Sequence, residues 1–271
     1  MQLIRTTSRW LDRQIGSPRF ALGLRNLLRL LERSEEAPAG FQILVLRLDE
    51  IGDMILMSGF FRELRRLYPG ATITLVTSPA VRNLYEHCPY IDRLLTYDVP
   101  PPRSFMRIRS LFLAWRYARS QFWPLRLDLA IMPRFDADYG WGWALMAFSR
   151  ARRTVAYSEQ TSEAKKQVNH GLDRVFTDIV PSAGPAKHEV ERNYDVLRYL
   201  GGTIQEAHLE LWLDQDDRNV AATRIDGDDR VTAGKAIDPL AIVGERMHRE
   251  RRIVASLPAP SPARRAVRLA E

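Results

Sequence analysis

The sequence predicts an α/β protein built on a doubly wound, mostly parallel sheet, and three observations carry that prediction. The apolar run Ile43-Leu44-Val45-Leu46 reads as a buried strand, followed by a turn bearing Asp49, Glu50 and Gly52 and then an apolar-periodic helix from Met54 to about Tyr68, where Pro69-Gly70 stops it. Further strands and helices alternate behind this first unit, as they do in parallel sheets joined by helical crossovers. The 271 residues, 45% of them hydrophobic, suffice for a sizeable core.

Taken in order, residues 71–76 read as a strand, 79–87 as a short helix and 93–97 as another strand. The proline run at 99–102 is a loop. Residues 104–121 form a basic helix, with Phe105, Ile108, Phe112, Trp115 and Arg119 at helical spacing. Residues 127–132 are a buried strand, 141–148 a helix and 153–156 a strand. A last helix spans 188–200 and ends at Gly201-Gly202, as helices commonly end at glycine. No internal repeat is present.

Asp53 stands where the first strand gives way to its helix. Open α/β sheets bind ligands at the carboxyl ends of their strands, so this carboxylate faces the expected crevice and is placed as a catalytic base. Two structural readings stand beside that one. Aspartate is favoured as a helix N-cap, and Gly52 would serve a turn that needs positive φ. The turn has one glycine where a dinucleotide fingerprint has three, and it lacks the lysine of a P-loop, so nicotinamide and ATPase readings lose ground.

A second functional stretch, residues 133–143, lies just beyond a core strand. Arg134 suits a phosphate, Asp136 and Asp138 suit sugar hydroxyls, and tryptophans 141 and 143 are assigned to the core. The competing reading is a loop whose Asp138 caps the following helix. His188, Glu189 and Arg192 are read as structural or at most cleft-lining, since Glu189 suits a helix N-terminus. The five histidines and single cysteine show no metal-binding spacing, and no metal or cofactor site is expected. Cys88 excludes an internal disulfide and is expected to pack as a small apolar residue.

The net charge of +7 and pI near 9.8 admit a nucleic-acid partner, but the basic residues are dispersed and no recognition motif gathers them. No stretch approaches the roughly 20 apolar residues of a membrane span, and arginines interrupt every candidate signal sequence, so a cytoplasmic protein is expected. Over residues 1–40, Phe20, Leu24, Leu27, Leu28 and Leu31 share one helical stripe flanked by Arg25, Arg29 and Arg33. Such a helix suits either the anionic inner face of a membrane or packing on its own domain.

The stretch from Arg47 to Asp53, of the form R-x-D-x-I-G-D, resembles the amino-terminal domain of glycosyltransferase family 9, the lipopolysaccharide heptosyltransferases. The resemblance continues through Phe61-Arg62-Glu63-Leu64-Arg65-Arg66, Tyr68-Pro69, Ile73-Thr74-Leu75-Val76 and Cys88-Pro89-Tyr90-Ile91-Asp92. It resumes at Asp128-Leu129-Ala130-Ile131, Pro133-Arg134 and Val155-Ala156-Tyr157-Ser158, and closes at His188 to Tyr194 before Leu200-Gly201. It implies a GT-B architecture of two Rossmann-like domains, with the acceptor on the amino-terminal one and the nucleotide-sugar donor on the other. It also implies metal-independent, inverting transfer, with heptose from ADP-heptose going to a lipopolysaccharide core glycolipid and Asp53 acting as general base. Asp49, Arg134, Asp136 and Asp138 are the expected acceptor contacts. A sugar hydroxyl is a poor nucleophile, so a carboxylate in reach of it would take its proton as the new bond forms. The positive end of the helix would lower the pKa of Asp53 and burial would raise it.

Domain organisation is expected as a basic helical segment over 1–40, an acceptor-binding domain over 41–213, and a divergent, poorly ordered tail over 214–271. The tail shows no strand followed by a glycine-rich donor turn, and its end is rich in Ala, Pro and Arg. The expectation is therefore a truncated or frame-shifted transferase, inactive alone, or a non-catalytic remnant that binds a glycolipid or a partner.

Overall fold

The computed structural model describes residues 39–99, 107–181, 187–204 and 209–219, together with Phe20, Gly23, Asn26 and Leu27. Expectations for the rest of the 1–40 helix, the end of the proline loop, Phe105 and the tail past 219 lie outside the described residues. The chain divides into two compact units, Met1–Glu210 and Leu211–Glu271. In the second, residues 215–219 make one helical turn, and the Asp217 N–H donates to the Asp214 carboxylate at 2.7 Å.

The first unit is a six-stranded, wholly parallel sheet. Its strands are β1 (Gln42–Leu46), β2 (Thr72–Thr77), β3 (Arg93–Thr96), β4 (Leu129–Met132), β5 (Arg153–Tyr157) and β6 (Asp178–Val180). Their spatial order is β3-β2-β1-β4-β5-β6, so β1 and β4 lie side by side at the centre. Both are apolar at nearly every position and wholly buried, as strands covered on both faces must be. Between the strands lie helices α1 (Ile51–Leu56), α2 (Ser58–Leu67), α3 (Arg107–Gln121), α4 (Gly142–Phe148) and α5 (Glu163–Val168), and α6 (Glu189–Tyr199) follows β6.

Alternation of side chains sends Leu44, Leu46, Val76, Ala130 and Met132 into one core cluster. There they meet Leu111, Ala114, Ala118 and Phe122 from α3 and its end, and Leu145, Met146 and Phe148 from α4. Ile43, Val45, Ile73 and Leu75 are equally buried but project from the opposite face. From β1 the chain winds outward to β2, and from β4 it winds the other way to β5. With right-handed crossovers, this reversal puts the helices of the two halves on opposite faces of the sheet.

Two local features differ from the sequence reading. The first helix begins at Ile51, three residues early, and it breaks at Met57. The Met54 carbonyl accepts both the Met57 N–H at 3.1 Å and the Tyr85 hydroxyl at 2.6 Å, and the Phe60 N–H reaches back to Met57 at 3.0 Å. Those three-residue spacings tighten the chain and interrupt the helix. In addition, α5 and β6 are elements that the sequence pattern did not announce.

Candidate active site

The order of the strands reverses between β1 and β4, and a crevice opens at their carboxyl ends. Arg47 and Leu48 after β1 and Arg134 and Asp138 after β4 line it, and Asp53, in the segment after β1, feels the charges of Arg47, Glu189 and Asp136. Arg47 is 2% exposed and fastens the floor. Its guanidinium donates to Glu189 at 2.8 Å, to the Asn193 side-chain oxygen at 2.9 Å and to the Pro133 carbonyl, and it pairs with the Asp49 carboxylate. One side chain thus ties the end of β1 to the end of β4 and to α6.

The predicted site residues separate into two groups. Asp49 is buried between Arg47 and Arg134, its carboxylate paired with both. Asp138 is buried as well: one oxygen accepts from the Gly140 N–H at 3.0 Å, the other from the Trp143 N–H at 2.8 Å in the first turn of α4. Arg134 is half-buried, and its Nε donates to the Ala137 carbonyl at 2.8 Å. Asp53 and Asp136, by contrast, are exposed and accept no hydrogen bond from any described residue.

Asp53 lies in the first turn of α1, while the cap position belongs to Glu50, which makes no side-chain cap bond. Although its surface is exposed, partial desolvation raises the pKa of Asp53 above its ordinary value. Arg47 opposes that, and the charges of Glu189, Asp136 and Glu50 add to it. Gly52 has no positive φ, and a methyl group in its place would meet nothing within 4 Å. Neither backbone strain nor crowding within the chain accounts for that glycine.

The loop around the site is held by residues the sequence reading passed over. Lys165 of α5 is 3% exposed, and its amine donates to the carbonyls of Arg134 at 2.8 Å and Tyr157 at 3.2 Å. Burial brings its pKa down to about 8, against the partial opposition of Asp138 and Asp173. A lysine depressed from 10.5 to about 8 binds its proton less tightly in the folded chain. It therefore adds stability at high pH that is lost as pH falls through about 8. Urea titrations across that window are expected to show wild-type stability rising with pH, and Lys165→Met to flatten the rise. A slope unchanged in the variant would reject the assignment.

His188 caps α6, its Nδ1 accepting from the Val190 N–H at 3.3 Å, while Glu189 turns to Arg47 and Arg192 lies 3.8 Å from the Phe135 ring centre. The group is structural, with Glu189 also part of the site's frame. Cys88 is buried, which pushes its thiol up to about 12 and leaves it a packing residue. Trp143 joins the core as expected, whereas Trp141 is only half-buried against it. No helix among the described residues is long and apolar enough to cross a membrane.

The fold is a Rossmann-like α/β domain with a crevice at the switch point between β1 and β4. That fold is shared with the glycosyl transferase of family 9 from Veillonella parvula DSM 2008, at a TM-score of 0.55 and 20% identity over 77% of this chain and 57% of that one. E. coli heptosyltransferase WaaC with ADP aligns at a TM-score of 0.46 and 14% identity, over 63% of this chain and 50% of that one. E. coli ADP-heptose lps heptosyltransferase II aligns at 0.45 and 15% identity, over 68% and 50%. The chain spans about half the length of these proteins, 50–57%. No family model matches the sequence, and no curated protein does either.

Proposed function

We propose that the chain works as an inverting glycosyltransferase of the heptosyltransferase type, its first unit binding the acceptor, a lipopolysaccharide core glycolipid. The observation that supports this best is Asp53. It is an exposed carboxylate with a raised pKa, just after β1 and within electrostatic reach of Arg47, Glu189 and Asp136, in a fold shared with a family 9 glycosyltransferase. The resemblance of the Arg47–Asp53 stretch adds ADP-heptose as the donor.

In the proposed reaction an acceptor hydroxyl attacks the anomeric carbon from the face opposite the nucleoside diphosphate. The new C–O bond forms as the old one breaks, and the diphosphate leaves with the electron pair. The hydroxyl proton passes to Asp53, and the anomeric centre inverts. Arg134 lines the crevice and Asp136 is within electrostatic reach of Asp53, so the two would meet phosphate and hydroxyl groups of the acceptor. No resident metal takes part.

The test is transfer of heptose from ADP-heptose to truncated lipopolysaccharide by the purified chain, followed by mass spectrometry of the glycan. The expected result is a product one heptose heavier, formed at the same rate in EDTA. Retained acceptor binding with no transfer would leave the chain only the acceptor-binding role. Neither transfer nor binding would reject the proposal.

A further inference from the structure

Next to the crevice lies a second cavity of about 170 Å³, and Asp138 lines both. Tyr139, Trp141 and Trp143 wall one side of it, and Val168, Asn169 and His170 the other. The two indole rings are tilted by 37° with centres 5.7 Å apart. The rim is apolar and open: Tyr139 is 67% exposed and Val168 44%. His170 is exposed and makes no hydrogen bond with any described residue.

The backbone presents this wall at a conformational cost. Trp141 has φ 60° and ψ 23°, the left-handed region that a bulky side chain seldom adopts. The Asp138 carboxylate imposes it by holding the Gly140 and Trp143 N–H groups on either side. The Asn169 oxygen in turn holds the Asp138 N–H at 2.9 Å. A buried, bonded frame thus fixes an indole that is itself left half-exposed over a cavity.

We propose that this cavity is a second sugar subsite, taking the pyranose next to the one presented to Asp53. The inference rests on the acceptor reading of the crevice above. A pyranose has an apolar C–H face bordered by hydroxyls, and the cavity offers aromatic faces bordered by the His170 imidazole. An acyl chain would cover that imidazole without offering it a partner. The shared Asp138 places the two sites side by side, as successive residues of one glycan require.

Calorimetric titration of the full chain with de-acylated truncated lipopolysaccharide glycans, one and then two sugars long, tests this directly. The second sugar is expected to tighten binding about tenfold in the wild type, equivalent to about 1.4 kcal/mol. Trp141→Gly, which removes the indole and relieves the left-handed backbone, and Tyr139→Ala, at an exposed site, should both lose that increment. Each should keep the one-sugar affinity. If Trp141→Gly does not fold, the exposed Tyr139 variant decides alone. An increment retained in the variants overturns the subsite. So does a wild type that binds one sugar and gains nothing from the second, a result that leaves the crevice standing. No binding of either glycan overturns the acceptor reading and the subsite with it.

Discussion

Replacing Asp53 with asparagine is expected to lower kcat by about 10²–10⁴, the usual contribution of a positioned general base, with little change in KM. The same variant should be at least as stable as the wild type. Asp53→Ala should match that stability too, which separates the base from a helix cap, since replacing a capping aspartate with alanine costs about 0.5–2 kcal/mol. Asp53 lies inside the first turn of α1, and its pKa is raised because partial desolvation and the neighbouring carboxylates outweigh the charge of Arg47.

A raised pKa means that the folded chain holds the Asp53 proton more tightly than the unfolded chain does. The stability this confers is present at low pH and lost as pH rises through the raised value. Asparagine escapes that loss, so the variant's advantage in thermal melts should grow toward neutral pH. For catalysis the sign is opposite, because the base must be ionised. The acid limb of kcat/KM should therefore fall at a pH above 3.8, the ordinary aspartate value. A variant that melts lower and transfers normally would return Asp53 to a structural role.

Arg47→Ala is expected to be among the most damaging substitutions to the fold, costing about 3–5 kcal/mol, because it strands buried carboxylates that have lost their cation. Asp49 is 5% exposed and would keep only Arg134, and Glu189, Asn193 and the Pro133 carbonyl would all lose a donor. For a domain of this size the melting temperature should fall on the order of 10 °C. Lysine should rescue little, since a single ammonium cannot span the several acceptors that the planar fork reaches. Chemical denaturation of the two variants checks this, and a loss under about 1 kcal/mol would show that the network is dispensable.

These two residues mark how far the sequence could be read. The β1–turn–helix unit was legible because four consecutive apolar residues and a 3.6-residue periodicity are local properties of the chain. β4 was legible for the same reason, and with it the placing of Arg134 and Asp136 just past its end. β6 has only three residues and α5 only six, without an apolar stripe, so neither leaves a periodic signal. The break at Met57 depends on Tyr85, 31 residues beyond Met54, whose hydroxyl no local pattern can foresee. Lys165 looked like one surface charge among several, and only the carbonyls of Arg134 and Tyr157 around its amine show otherwise.

The sequence by itself determined the class of the sheet, its helical crossovers and the end of the strands where the carboxylates collect. Which of those carboxylates are free was decided by tertiary structure alone. Asp49 and Asp53 are four residues apart in one motif, but Asp49 is consumed by two arginines while Asp53 stands open. The difference is made by Arg47, whose own partners reach as far as Asn193, 146 residues along the chain. Hydrogen-bond and charge satisfaction are properties of the packed interior, where every buried polar group must find a partner, and that partner is set by topology, whatever its distance in sequence.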